Sequence, residues 1–277
     1  MEVMLVEGAD LIHLREKLLE LLKEVDRICR KNGIEYTLEG GTLLGSIRHG
    51  GFIPWDDDAD VIFMRDEYKK FYEACKTDLD PKYFLQEFRT DPEYHWGYSK
   101  LRINGTKFIQ EKQEELKFHK GIFIDVFIYD GVPDHFPMRQ IHFFECFFIR
   151  KCQYSIVGRK YAPNAFLRGV YSLLNRIPKK TVFNWMNKIA ERNNNSKKKH
   201  YLSRHMTFPY RTKESKYGLP THCFDEYIDV KFEDTTLRIL KGYDEYMRLK
   251  FGDYMTLPPP EKRVGVLHVV ELDFGED

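Results

Sequence analysis

Leu11, Leu14, Leu18, Leu21, Leu22, Val25 and Ile28 recur every three or four positions, which places them on one face of a helix, and Asn32-Gly33 supplies its stop. The period then changes. Ile34, Tyr36 and Leu38 alternate with polar neighbours as in a half-buried strand, and Gly40-Gly41-Thr42 breaks that strand before a short apolar helix through Leu43, Leu44 and Ile47. Gly50-Gly51 and Pro54 impose a loop. After it, Ala59 to Met64 reads as a second strand, and Asp66 as the cap of a helix running to about Thr77. Further strands are expected at Tyr83 to Phe88, Tyr94 to Ile103 and Gly121 to Tyr129. From Phe136 to Asn195 the pattern is helical, with breaks at Tyr161 to Pro163 and at Pro178. Tyr227 to Glu233 and Thr236 to Leu240 predict a hairpin, and Lys241 to Phe251 a helix stopped by Gly252.

These elements predict an α+β fold, a mixed sheet flanked by helices. Charge changes the picture in the middle of the chain. Over all 277 residues the formal charge is +1, yet residues 138–200 hold fourteen Lys and Arg against only Glu145 and Glu191, a local +12 that leaves −11 for the rest. That shift sets the expected division: a core over 1–137, a basic helical insertion over 138–205, and a C-terminal segment over 206–277 that completes the core. Phe143, Phe144, Phe147 and Phe148 beside Arg150-Lys151, and Leu167, Leu173 and Leu174 beside Arg168 and Arg176, suit an amphipathic element at an anionic membrane surface; they equally suit a packed helical subdomain with a solvated outer face. Nucleic acid is not an expected partner, because no recognised binding motif accompanies the charge. No stretch has the run of about 18 apolar residues that a spanning helix needs, and the opening residues lack a basic n-region and a cleavage site, so neither a membrane span nor a signal peptide is expected. Five scattered cysteines fit reduced thiols in a cytoplasmic setting better than a disulfide framework or a zinc site.

The densest chemistry lies in Gly40-Gly41-Thr42 followed by Asp56-Asp57-Asp58-Ala59-Asp60. Side chains of a strand alternate faces, so Asp58 and Asp60 project together and can share a hard cation; two carboxylates plus phosphate oxygens are what Mg²⁺ prefers. A glycine turn that opens a helix brings backbone N–H groups close to a phosphate, with the Thr42 hydroxyl as a further donor. Taken alone, an Asp-rich loop is more often a solvated turn. Asp125 weighs against that reading, because it interrupts the apolar run Ile122-Phe123-Ile124-Asp125-Val126-Phe127, where an isolated carboxylate needs a cation or a close partner. Lys100 and Arg102 alternate on an expected strand and suit either a diphosphate clamp or a solvated edge. Arg48 and His49 stand near the glycine turn, while Arg263 and His268 follow Pro258-Pro259-Pro260 and either close over the site or form an exposed tail.

The string from Gly41 through Gly45-Ser46-Ile47-Arg48-His49-Gly50-Gly51-Phe52-Ile53-Pro54-Trp55 to Asp60 resembles the signature of the LicD family, which includes the fukutin-type proteins. Further blocks match in order: Lys100-Leu101-Arg102 with Thr106, Gly121 to Phe127 with Asp130-Gly131-Val132-Pro133, and Tyr243 to Leu257 with Pro258-Pro259. The chain departs from the pattern at Leu240-Lys241-Gly242, where a proline is expected, at Phe251 in place of Tyr, and at Ile128-Tyr129 in place of Pro-Leu. The resemblance implies a polymerase-beta-type nucleotidyltransferase fold. It also implies two Mg²⁺ ions, with Mn²⁺ as an alternative, and transfer of phosphocholine or a related alcohol phosphate from CDP-choline or a similar CDP-alcohol to a sugar hydroxyl of a cell-surface glycan or its lipid-linked precursor. It assigns Gly41 and Thr42 to the phosphate turn, Asp58 and Asp60 to the metal pair, and Asp125 to the third carboxylate, which is also the expected acceptor of the hydroxyl proton. Gly40, Arg48, Lys100 and Arg102 are the expected further contacts to the donor. A cytoplasmic protein held peripherally at the membrane is the corresponding location. Two rival readings stay open from the residues: a glycosyltransferase using Asp58-Ala59-Asp60, and a catalytically idle, membrane-recruited scaffold.

Overall fold

A computed structural model describes residues 3–196, 200–205 and 217–275. Helix α1 (Gly8–Asn32) buries the leucine face read from its spacing, and it ends at Gly33, whose φ of +63° is the left-handed conformation that glycine adopts without strain. It is followed by β1 (Thr37–Leu38), α2 (Gly40–Arg48), β2 (Asp60–Met64), α3 (Arg65–Asp78), β3 (Tyr83–Gln86), β4 (Ser99–Ile103), β5 (Lys107–Gln110) and β6 (Phe123–Gly131). Three helices come next: α4 (Phe136–Tyr161), α5 (Ala165–Leu174) and α6 (Lys179–Asn194). The chain closes with β7 (Tyr201–Arg204), β8 (Leu219–Pro220), β9 (Tyr227–Phe232), β10 (Thr235–Leu240), α7 (Tyr243–Phe251) and β11 (Val269–Asp273).

The principal sheet runs β1-β2-β6-β4-β3, with β7 pairing β6 and β8 pairing β7. Only β2 and β6 are parallel neighbours; the other ladders of this sheet are antiparallel, so the expected mixed-sheet α+β architecture is present. Strand β6 is the axis. Its first half pairs β4 and its last three residues pair β7, so two different segments share one of its edges. Both faces of β6 are covered, which explains an almost uninterrupted apolar run. One large core joins α1, α3, the sheet and the β9–β10 hairpin, while Cys146, Ile149, Cys152, Val182 and Met186 form a separate small cluster between α4 and α6.

Several expectations shift. The strand foreseen from Ile34 shrinks to two residues, because β1 meets β2 only at Thr37 and Leu38, although Ile34 and Tyr36 are still buried. Gly40 and Gly41 are not a loop ahead of a helix; they are its first turn. Asp66 likewise lies inside the first turn of α3, with Met64 at the cap position. Tyr94 to Tyr98 is not strand. Pro92 and Gly97 break the extended pattern, and the segment instead packs as an aromatic cluster with Tyr94 5.7 Å from Phe118 and 5.5 Å from Trp96. Strands β5 and β11 pair with each other apart from the principal sheet, with Met4 bridging Val269, and they are short and gave no alternating signal. Among the described residues no helix is long and apolar enough to cross a membrane.

Candidate active site

The site grows from strand register. Asp60 opens β2 and lies opposite Asp125 of β6; on the other side of β6, Asp125 lies opposite Lys100 of β4. Residues directly opposite in a sheet share a face, so Asp60, Asp125 and Lys100 form one row across three strands. Asp58, two residues before Asp60, stands over the same row.

The charges in this row do not balance. Burial first, then Asp56 and Asp125, push the Asp58 carboxyl well above the usual carboxylate range, with Lys100 acting against them. Asp60 is raised well above it too, by burial and then by Asp58, Glu39 and Asp125. The Lys100 ammonium bonds Asp125 and lies 3.3 Å from the centroid of the Phe123 ring; burial lowers its pKa to about 8 although Asp125 opposes that shift. The site therefore holds an excess of buried anionic oxygen. An oxygen-only set of three carboxylates short of positive charge has the donor chemistry that a hard divalent cation requires, so Asp58, Asp60 and Asp125 fit Mg²⁺.

The carboxylates that bring one oxygen each within 4.8 Å of one another are a neighbouring set, Asp56, Asp57 and Asp58. Asp57, however, is already committed. Its two oxygens accept the N–H groups of Val266 at 3.1 Å and Leu267 at 2.9 Å, so it ties the C-terminal segment to the acidic loop. Asp56, raised to about 7 by burial and then by Asp57, has a buried Oδ2 with no hydrogen-bond partner, and that oxygen lies 2.5 Å from where a Cβ on Gly41 would be. A side chain at 41 would collide with the acidic loop, which explains a glycine inside a helix turn.

The N-terminus of α2 faces the row. The first bond within this helix runs from the Leu43 N–H to the Glu39 carbonyl, so the N–H groups of Gly40, Gly41 and Thr42 have no partner inside the helix. Gly40 sits beside Asp60, whose Oδ2 is 3.3 Å from the position of an added Cβ. Thr42 departs from the expected phosphate contact. Its hydroxyl is buried and its oxygen accepts the Asp60 backbone N–H at 2.9 Å, so Thr42 positions the carboxylate. We expect Thr42→Ala to lower kcat about tenfold with little change in KM, and Thr42→Ser to restore it; a change confined to KM would return Thr42 to the donor.

Arg102 departs as well. It is buried and donates to Gln86 Oε1 and to the Gly121 carbonyl, both at 2.5 Å, so it braces β3, β4 and the start of β6 and has no exposed edge for a diphosphate. Arg48 donates to the Tyr254 carbonyl at 3.0 Å, while its Nε is buried without a partner. Burial and then the neighbouring Arg263 lower its pKa. The Arg263 guanidinium lies 5.6 Å from the Trp55 ring centroid, so two cations and an indole meet beside the acidic loop. The His268 carbonyl accepts the Glu111 N–H, an internal contact.

Glu39 was not anticipated. It is fully buried and its Oε1 accepts from the Tyr129 and Tyr246 hydroxyls, both at 3.0 Å, and from Lys250 Nζ, while Arg204 reaches Oε2 at 3.3 Å. Burial alone would raise its pKa, but Lys250 and Arg204 more than offset that and hold it below the ordinary value. A second buried centre joins Asp130 to Arg65 at 2.6 Å, Asn194 at 2.5 Å and His205 at 2.5 Å, tying α6 and β7 to the sheet. The signal for Glu39 was a carboxylate directly after Tyr36-Thr37-Leu38, the same kind of interruption that marked Asp125.

Comparison with known proteins gives the following relatives. Residues 33–146 match the domain described as LicD/FKTN/FKRP, nucleotidyltransferase domain. The lipopolysaccharide cholinephosphotransferase LicD of Haemophilus influenzae is 29% identical over 268 residues, which cover 90% of this chain and 93% of that protein. The ribitol 5-phosphate transferase FKRP of Homo sapiens is 46% identical over 50 residues, 18% of this chain and 10% of that protein.

Proposed function

We propose, from the match of residues 33–146 to the LicD nucleotidyltransferase domain, that the chain transfers a phosphorylated alcohol, phosphocholine foremost, from a CDP-linked donor to a sugar hydroxyl. The observation that carries this reading is the carboxylate row of Asp58, Asp60 and Asp125, for which Lys100 is the cation bonded within the row, beside the N-terminus of α2. The printed activities of the two relatives, cholinephosphate transfer and ribitol 5-phosphate transfer, support the class of group moved.

In this reading Asp58, Asp60 and Asp125 hold Mg²⁺, or Mn²⁺ in its place, which when bound supplies neutralising charge at the transferring phosphoryl group. Asp125 accepts the proton of the attacking sugar hydroxyl as the new O–P bond forms and the bond to CMP breaks. Lys100, bonded to Asp125, holds that carboxylate in place. Arg48 and Arg263 take the diphosphate, since both are cations held close together at the rim of the acidic loop. Trp55, beneath Arg263, offers an aromatic wall to a quaternary ammonium head. The acceptor is a cell-surface glycan or its lipid-linked precursor, met at the cytoplasmic face of the membrane.

The test is release of CMP from CDP-choline on incubation with a glycan acceptor, set against sugar release from a UDP-sugar, each with and without a chelator. Chelator-sensitive CMP release is expected; turnover of the UDP-sugar alone would replace this reading with a glycosyltransferase.

A further inference from the structure

The helices α4 to α6 do something the carboxylate row does not explain. Between them α4 and α6 bury a small cluster of their own, and the three helices also leave large apolar side chains in solvent: Phe144 is 68% exposed, Phe166 78% and Leu173 61%. These are not scattered. Ile141, Phe144 and Phe148 stand at i, i+3 and i+7 on one row of α4. Phe148 meets Trp185 of α6 with ring centroids 6.0 Å apart, and Lys151 links the neighbouring Phe147, 5.3 Å from its ring, to the Tyr171 hydroxyl of α5 at 3.1 Å. The exposed row on α4 is thus continuous with both other helices. Helix α5 splits its apolar side: Tyr171 is buried and Leu167, Val170 and Leu174 are half-buried against the protein, while the edge of that side is a face left in solvent. Phe166 and Leu173, two turns apart, share that face.

The charge around this face is one-sided. Arg150, Arg159, Arg168, Lys180 and Lys188 on the three helices and Arg176 in the turn between α5 and α6 are all exposed, against the exposed Glu191. Lys160, Lys179 and Arg192 are balanced by Glu115, Glu93 and Glu145, and Lys197, Lys198 and Lys199, counted in the +12 read from sequence, lie outside the described residues.

We propose that the outer face of α4 to α6 docks on an anionic lipid bilayer, with Phe144, Phe166 and Leu173 entering the interface and the exposed arginines and lysines meeting the headgroups. An exposed apolar row on α4, continued by the exposed Phe166 and Leu173 of α5 and accompanied by exposed cations, has the composition of an interfacial surface. A second copy of this chain is a poor occupant, since pairing two such faces would oppose like charges. The proposal does not depend on the transfer reaction.

The full chain should sediment with phosphatidylcholine vesicles containing about 30% phosphatidylglycerol at low salt and not with phosphatidylcholine alone, and about 0.5 M salt should release much of it. Phe144→Ser/Phe166→Ser/Leu173→Ser should weaken binding at least about tenfold, and Arg168→Glu/Arg176→Glu/Lys188→Glu should do so separately. Because these side chains are exposed, both variants should melt at the wild-type temperature, and CMP release from a soluble donor should be unchanged. If the apolar variant aggregates, the charge variant decides alone. Failure of the wild type to bind anionic vesicles at low salt, equal binding to neutral vesicles, wild-type binding by the variants, or a dimer in sedimentation equilibrium that the apolar variant dissolves would each overturn the proposal. A lack of CMP release alongside intact vesicle binding would count against the transferase reading only.

Discussion

Asp60→Asn should lower kcat by about a thousandfold or more while leaving the melting temperature of the metal-free protein unchanged or higher. The two halves of that result come from one cause. Asp60 is buried beside Asp58, Glu39 and Asp125, and its raised pKa records how unfavourable its charge is there without a cation. Removing the charge relieves repulsion in the folded protein and at the same time deletes a cation ligand. A carboxylate with a folded pKa above its unfolded value of 3.8 binds more protons in the folded state, so it lowers stability as pH rises from about 4 through that folded value. For Asp56 that window closes near about 7; Asp58 and Asp60 extend the same trend through their own raised values. Metal-free protein should therefore melt progressively lower from pH 5 to pH 8, and Mg²⁺ should flatten the trend. Thermal scans with and without the ion, on wild type and Asp60→Asn, measure both. Near-wild-type turnover by Asp60→Asn at saturating Mg²⁺ would remove Asp60 from the cation site.

Glu39→Ala should cost about 3 to 5 kcal/mol of folding stability, because it leaves Lys250 and Arg204 facing each other in a buried space without their common anion. The hydroxyls of Tyr129 and Tyr246 would lose their acceptor in the same step. Urea unfolding reads the loss directly. Lys250→Met on the Glu39→Ala background should recover part of it, since one unpaired cation then disappears; if the double variant is no better than the single, the cost arises from packing and not from charge. Turnover should fall with stability, because Glu39 precedes the first turn of α2 and its Lys250 partner also approaches Gly40.

The acids were legible from sequence because a carboxylate inside an apolar run is a local anomaly. Asp125 in its strand and the alternation of Asp58 and Asp60 needed no knowledge of distant residues. Their partners did. Lys100 becomes a neighbour of Asp125 only through the register of β4 on β6, and Glu39 finds Arg204 and Lys250 across separations of 165 and 211 residues. Periodicity fixes which way a side chain faces, not what it meets. That is also why Arg102 read as a clamp: its alternation with Lys100 was correct, but the same face that carries Lys100 to Asp125 carries Arg102 into the interior at Gln86. Long amphipathic helices were found with their breaks, Pro178 included, whereas β5 and β11 pair with each other apart from the principal sheet and carry no pattern of their own.

The two bonds from Asp57 to Val266 and Leu267 close a circuit of 209 and 210 residues. In an unfolded chain, bringing such distant points together would cost about 5 kcal/mol of closure entropy, more than two hydrogen bonds return. They become favourable only once the sheet, α1 and the Met4–Val269 bridge have already brought the two ends of the chain together. The acidic loop is therefore held from the far end of the chain: the contacts that fasten Asp57 come from the residues that lead into the last strand.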